Sequence, residues 1–404
     1  MNKMLFSDLL EPKDGLIKGP FGGDIKKSLF VPKGDKTYKV YEQGVVLKKN
    51  VHQGNYYISE EYFNKKLKRF EVKENDLLLT GAGTLGELLK VPKGSPKGVI
   101  NQALLRVRLN ESVVDSAFFE YYFKYYIKAI ICRINGDSVI PNLPPLPLIK
   151  STIIEIPNKL YQQKIASVLS ALDSKIELNN RINAEMEAMA KTLYDYWFVQ
   201  LDFPDENGKP YKSSGGKMTF NAELKREIPD GWHVATVGSI LAREKATKKI
   251  VASEILIEGD IPVIDQSTDF IAGFTNDKDS IITTKVPRIV FGDHTRILKL
   301  INFNFARGAD GTQVILSNSK RMPQHLFFHS LLKFDLSNYG YARHFKFLKD
   351  LKIVLPDEDI SEKFEAVAER SYKKIKHNVF ENQHLSTLRD WLLPMLMNGQ
   401  VTVK

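Results

Sequence analysis

The sequence predicts a mixed α/β chain. Two globular α/β domains are separated by two long helices that form an antiparallel coiled coil, and the whole is a pseudo-two-fold internal repeat. Three observations predict this. Shifting the chain by 199 residues without a gap lays Pro157 on Pro356, Lys164 on Lys363, Val168 on Val367 and Lys175 on Lys374. The same shift lays Ile176 on Ile375, Asn179 on Asn378 and Leu193 on Leu392, a match too extended for coincidence. Within each copy apolar residues recur at spacings of three and four, the period of a helix with one apolar face. Finally, the positive charge falls in two blocks. Residues 1–157 hold 24 basic against 17 acidic side chains and residues 228–356 hold 17 against 13, whereas 158–227 balance at 10 and 10 and 357–404 hold 7 against 8.

These blocks set the boundaries: a first basic domain at 1–157, a central helix and linker at 158–227, a second basic domain at 228–356 and a C-terminal helix at 357–404. Each helix follows a Pro and begins on polar or acidic groups, Asn158 in one copy and Asp357 to Asp359 in the other, which satisfy free backbone amides. The stripe runs through Ile176, Ile182, Met186, Met189, Leu193 and Trp197, then through Ile375, Val379, Leu385, Leu388 and Leu392, with Gly399 as the stop. About 40 residues at ~1.5 Å each reach ~60 Å. Helices of that length bury their stripes most simply against each other.

The domains echo one another more faintly. LFSDLL at 5–10 resembles TVGSIL at 236–241, and DLLLTGAGT at 76–84 resembles RIVFGDHT at 288–295. GVINQALLRVRL at 98–109 has a counterpart in ARGADGTQVIL at 306–316. Short strands, Gly/Pro turns and one helix per domain (Phe118 to Ile131; Gln324 to Leu332) give the α/β reading.

The net charge of +10 points to a polyanionic partner. One cysteine, Cys132, excludes an internal disulfide and a Cys-x-x-Cys zinc site. No apolar run approaches the roughly 20 residues of a membrane helix, and the acidic N-terminus does not read as a secretory signal, so the expected location is cytoplasmic. Two heads on a rigid helical pair of ~60 Å would lie nearly two DNA turns of ~34 Å apart, which predicts a split recognition site with an unread spacer.

Four motifs suggest other chemistry. GAGTLG at 81–86 fits the dinucleotide-binding pattern, but Pro92 and Gly94 follow before any helix can form, so it reads as a hairpin turn. Asp205, Glu223 and Lys225 imitate a magnesium-dependent nuclease and supply the rival, enzymatic reading. The segment between them, ENGKPYKSSGGKMTFNA, reads as a linker without a strand to hold carboxylates. His325 and His329 lie four apart on a helix, with core-like neighbours and no acidic third ligand, so they read as structural. NLPPL at 142–146 lacks the aromatic that an adenine methyltransferase motif requires, and no catalytic or metal-binding residue is expected. A third reading is a structural protein that binds DNA without sequence preference.

Candidate DNA-binding residues are polar and basic side chains on turns. They are Lys18, Lys26, Lys27, Ser28, Thr84, Asn101 and Gln102 in the first domain. In the second they are Gln266, His294, Thr295, Arg296, Arg307, Tyr341, Arg343 and His344. Lys and Arg suit phosphates and guanine edges, and Asn and Gln suit adenine. Tyr194, Tyr196, Trp197 and Phe198 form an aromatic cluster ending the central helix, and with Trp391 they are candidates for docking a partner.

The stretches QQKIASVLSALDSKIELNN (162–180) and TLYDYWFVQLDFP (192–204) resemble the specificity subunit of type I restriction-modification systems. So do GLIKGPFGGDIKKS (15–28), IPDGWHV (228–234) and LRDWLLPMLMNGQV (388–401). The resemblance covers essentially the whole chain. It implies that each domain is a target-recognition domain reading one half of a bipartite double-stranded DNA site. It implies that the helices dock two methyltransferase (modification) subunits, and that restriction and translocase subunits can join. S-adenosylmethionine for adenine N6 methylation, and ATP with Mg2+ for cleavage, would belong to those partners. No cofactor is expected on this chain.

Overall fold

A computed structural model describes residues 1–81, 84–127, 145–335 and 344–403. These form two compact units, Met1–Lys175 with His384–Lys404, and Ile176–Gln383. The central helix, Lys159–Tyr194, and the C-terminal helix, Glu358–Met397, each contribute to both. The Asn158 side chain accepts from the Tyr161 amide at 2.9 Å, as a helix start requires. Gly399, at φ +71°, lies just past the end of the C-terminal helix, and its amide donates to the Leu396 carbonyl.

In the first unit, strand Asn2–Leu5 pairs antiparallel with Ile153–Ile156, the strand that leads into the central helix. A four-stranded antiparallel sheet runs in the order Leu16–Lys18, Leu104–Val107, Leu77–Thr80, Leu88–Lys90. Leu77–Thr80 is buried throughout, as a run of three leucines in a sheet interior should be. A mixed sheet orders Tyr57–Ser59, Thr37–Tyr41, Gly98–Ile100 and Glu71–Val72, its Thr37–Tyr41 and Gly98–Ile100 strands being parallel. Helix Ser116–Tyr122 packs Phe118 and Phe119 into the core, which Leu393, Leu396 and Met397 of the C-terminal helix complete.

The second unit repeats this plan. His233–Thr236 pairs with Lys352–Leu355 as Asn2–Leu5 does with Ile153–Ile156. Leu298–Ile301, Arg288–Gly292 and Thr312–Ile315 make an antiparallel sheet. Gly273–Thr275, Ile261–Ile264, Phe305–Arg307 and Ile281–Ile282 make a mixed one with a parallel pair in the same place. The segments that echo in sequence are therefore equivalent elements: LFSDLL and TVGSIL each form a 3-10 turn, and the other two pairs form matching strands. One expectation fails: the segment ENGKPYKSSGGKMTFNA (206–222) is not without a strand. Its end, Met218–Asn221, forms a hairpin with Arg226–Pro229, turned by Lys225 at φ 54°. Strands of four residues are too short to stand out against the Gly, Ser and Lys around them.

The two long helices run antiparallel within each unit. In the first, Arg389 binds Asp173 at 2.7 Å and the Tyr161 hydroxyl donates to the Val401 carbonyl. In the second, the Asn179 amide donates to Asn382 Oδ1 at 2.9 Å and the Asn378 amide to Asn183 Oδ1 at 2.8 Å. The 199-residue shift converts one of these bonds into the other, so the sequence repeat is also a symmetry of contacts. Asn179 and Asn378 are buried, so a slip of register would take these partners from their amides at a cost. The predicted stripe departs from the buried face at Met189 and at its repeat mate Leu388, both exposed, and in the central helix Ala190 and Tyr194 take the buried face.

Some positive charge lies inside the domains. The Arg106 guanidinium donates to the carbonyls of Arg69, Glu71 and Asp14. Lys39 Nζ donates to the carbonyls of His52 and Gly54, and Lys299 Nζ to those of Asp265 and Asp269. Burial lowers the pKa of both lysines. Net charge by domain therefore overstates what faces a polyanion.

Candidate nucleic-acid interface

In the first domain the strand register gathers three turns at one sheet end. Gly19 donates to the Leu104 carbonyl at 2.9 Å and Gly81 to that of Ala103 at 2.8 Å. The turn after Leu16–Lys18 and the hairpin after Leu77–Thr80 thus both meet Asn101 to Ala103. A Cβ on Gly19 would fall 1.9 Å from the Asn101 carbonyl oxygen, so only glycine permits this approach. Lys18, Thr84 and Gln102 are exposed there and Asn101 is half-buried, its Oδ1 accepting from the Ala103 amide. Lys26, Lys27 and Ser28 are exposed farther along the same connection. The hairpin reading of GAGTLG agrees with the pairing of Leu77 with Lys90 and Leu79 with Leu88; Ala82 and Gly83 lie outside the described residues.

The equivalent end of the second domain is organised by Gln266. Its Oε1 accepts from the His294 amide at 3.1 Å, its Nε2 donates to the Asp310 carbonyl at 2.8 Å, and its carbonyl accepts from the Thr295 hydroxyl at 2.7 Å. Gly311, at φ +77°, closes the arrangement, since a Cβ there would sit 2.8 Å from Gln266 Nε2. Gln266 therefore spends both ends of its amide on two turns and positions its neighbours. His294, Thr295 and Arg296 project to solvent beside it and Arg307 is half-buried. His344 corrects the sequence expectation: it is buried, with Nδ1 2.8 Å from the Asp293 carbonyl, and it anchors this turn rather than facing a ligand. Tyr341 and Arg343 lie outside the described residues. Replacing Gln266 by Ala should cost only about 1 kcal/mol, because the lost bonds are exposed. Hydrogen exchange at the His294 amide should quicken at least roughly tenfold, and unchanged protection would show that the turn holds itself.

Sequence reasoning missed the buried Lys299 that ties Asp265 and Asp269 beneath Gln266. Its signal was a lysine in the otherwise apolar strand LKLI.

The partner-docking candidates divide. Tyr194 and Phe198 are buried against Phe364, His329 and Trp232, so packing claims them. Trp197 is half-buried, and Tyr196 and Trp391 remain exposed.

The rival catalytic residues do not converge. Asp205 Oδ1 accepts from the amides of Asn207 and Lys209, and Glu223 pairs with Lys352 at 3.0 Å. Among the described residues no group of three or more His, Cys, Asp or Glu could hold a metal ion. His325 Nδ1 lies 2.7 Å from Glu365, and His329 Nε2 lies 3.2 Å from the Tyr372 hydroxyl. Burial, reinforced by His325, pushes the His329 pKa down to about 4. The unfolded chain takes up this proton below about pH 6.5 and the folded chain only near pH 4. Folding should therefore lose up to about 3 kcal/mol as pH falls through that window. His329→Gln should flatten the curve there, a difference read from denaturant midpoints at pH 7, 5.5 and 4.5.

Residues 22–188 match the model of the type I restriction modification DNA specificity domain. The chain is 27% identical over 360 residues to the type I restriction enzyme MjaIX specificity subunit of Methanocaldococcus jannaschii, covering 82% of this chain and 81% of that one. These findings support a type I specificity subunit. A second relative, the HindI specificity subunit of Haemophilus influenzae, is 22% identical over 325 residues, covering 63% of this chain and 70% of its own. The fold agrees with the crystal structure of a type I restriction-modification S subunit from M. genitalium, at a TM-score of 0.57 and 19% identity over 98% of this chain and 96% of that one. Among the described residues, no helix is long and apolar enough to cross a membrane.

Proposed function

We propose that this chain reads a bipartite double-stranded DNA sequence for a type I restriction-modification complex, one half-site per domain. The carrying observation is the repeated sheet plan, which presents a cluster of exposed cationic and polar turn residues at the same sheet end of each domain. In this reading Lys18, Lys26, Lys27 and Arg296 neutralise phosphates or bind guanine, and Asn101, Gln102 and His294 are placed for base edges. The helices serve as spacer and, through exposed residues such as Tyr196 and Trp391, as docking surface for two methyltransferase subunits, with restriction subunits as a further addition. Those partners would supply S-adenosylmethionine, ATP and Mg2+, and the complex would work in the cytoplasm, where its DNA is. The chain itself is assigned no chemistry.

The test is an adenine-methylation map of host DNA with and without this chain, the methyltransferase subunits being present throughout. Methylation confined to a split motif with a gap of constant length, and lost without the chain, is the expected result. A map indifferent to the chain would overturn the proposal.

A further inference from the structure

We infer that Phe21 is a DNA wedge, an aromatic ring that stacks on or between bases in the half-site read by the first domain. The inference rests on the DNA-reading function proposed above and adds to it a residue that is neither charged nor polar. Phe21 is 87% exposed, more than any other aromatic among the described residues. Packing does not explain the ring, and neither does a loose loop. The Phe21 carbonyl accepts from the Asp24 amide at 2.8 Å and that of Gly22 from Ile25, closing a tight turn. Ile25 is buried among Val40, Ile58 and Phe63, and the Tyr62 hydroxyl donates to the Asp24 carbonyl at 3.1 Å. The ring therefore stands outward on a backbone that is tied down behind it.

Its surroundings suit a nucleic acid. Gly22 and Gly23 follow, and a side chain at Gly23 would meet nothing within 4 Å, so these glycines clear space around the ring rather than fit a crowded core. A Cβ on Gly22 would lie 4.0 Å from Gln102 Nε2, which places the turn beside the polar cluster of Asn101 and Gln102. Lys18 precedes it and Lys26 and Lys27 follow, all exposed. A fixed apolar ring flanked by cations matches what base steps accept from proteins that unstack them, since every base offers a π-face and the phosphates beside it attract lysine.

The experiment uses the chain copurified with its methyltransferase subunits and duplexes carrying the mapped motif, with 2-aminopurine placed at successive positions. Wild type should raise 2-aminopurine emission at one base step of one half-site. Phe21→Ala should abolish that rise and weaken binding roughly tenfold, equivalent to about 1.4 kcal/mol. Phe21→Trp should retain both, with its added indole emission quenched on binding. Wild-type affinity and emission in Phe21→Ala would overturn the wedge and leave the DNA-reading function standing. Weaker binding with the emission rise intact would also overturn it, reducing Phe21 to a backbone contact. If wild type did not distinguish the motif from a scrambled duplex, the reading beneath the wedge would itself fall.

Discussion

Replacing Phe364 by alanine is expected to destabilise the second unit by about 3–5 kcal/mol, the usual cost of truncating a fully buried aromatic. Phe364 sits on the C-terminal helix with no exposed surface. It meets Phe198 edge-on at 5.2 Å, His329 at 5.9 Å, and Tyr194 and Trp197 at 6.2 Å each. Those rings come from the end of the central helix and from the helix Gln324–Leu331, so one side chain fastens three elements. Rigid rings held from three directions cannot collapse into the space left behind. Guanidinium unfolding followed by tryptophan emission reports the change, since Trp197 adjoins the ring and Trp232 lies 6.0 Å from Phe198. A loss under about 1 kcal/mol would show that the cluster repacks.

Arg106→Met is expected to cost the first unit a comparable 3–5 kcal/mol or so, although the new side chain is apolar and of similar length. The guanidinium is 1% exposed and bridges backbone carbonyls from three places, Asp14, Arg69 and Glu71. Burial and the neighbouring Arg108 push its pKa down to about 10, still far above neutrality, so the group is charged in the folded protein. Methionine would remove this donor from the Asp14 and Arg69 carbonyls and leave that of Glu71 only the longer bond from Arg108, and partly buried acceptors without partners are costly. Lysine should rescue little, because one ammonium lacks the planar fork that serves several acceptors at once. Thermal unfolding of both variants tests this, and a Lys variant as stable as wild type would refute the geometric account.

Much of the architecture was legible because it follows from period and repetition. The 199-residue shift needed only residue identities. It anticipated the two long helices and matched Asn179 with Asn378, whose equivalent bonds to Asn382 and Asn183 appear only in the fold. Echoes as faint as DLLLTGAGT against RIVFGDHT proved to be equivalent strands, Leu77–Thr80 and Arg288–Gly292, since a buried strand ending at a Gly turn needs few residue types. Turn residues such as Lys18, Gln102, His294 and Arg296 were found exposed at matching sheet ends, because polar groups beside glycine rarely pack inward.

What failed did so where a side chain's role depends on distant partners. His344 reads in sequence as one more basic residue beside an arginine, and only the fold sets it beneath Asp293. Tyr194 and Phe198 read as a surface for another protein, yet the second unit's own core takes them. Met189 fits the apolar stripe but faces water, because the packed face shifts toward Ala190 and Tyr194. Lys39, Arg106 and Lys299 count as positive charge in any composition, while in the fold they bind carbonyls internally.

The repeat, the long helices, the α/β character of both domains and the family resemblance are all written in residue identities. All of these rest on local patterns that each segment carries unaided. The packed fold, by contrast, sets which cations are interior braces and which aromatics are core, and it makes Gln266 hold two turns together and Phe21 stand out in water. Burial and hydrogen bonding are properties of pairs separated by tens to hundreds of residues, and nothing within a single segment encodes the partner it will meet.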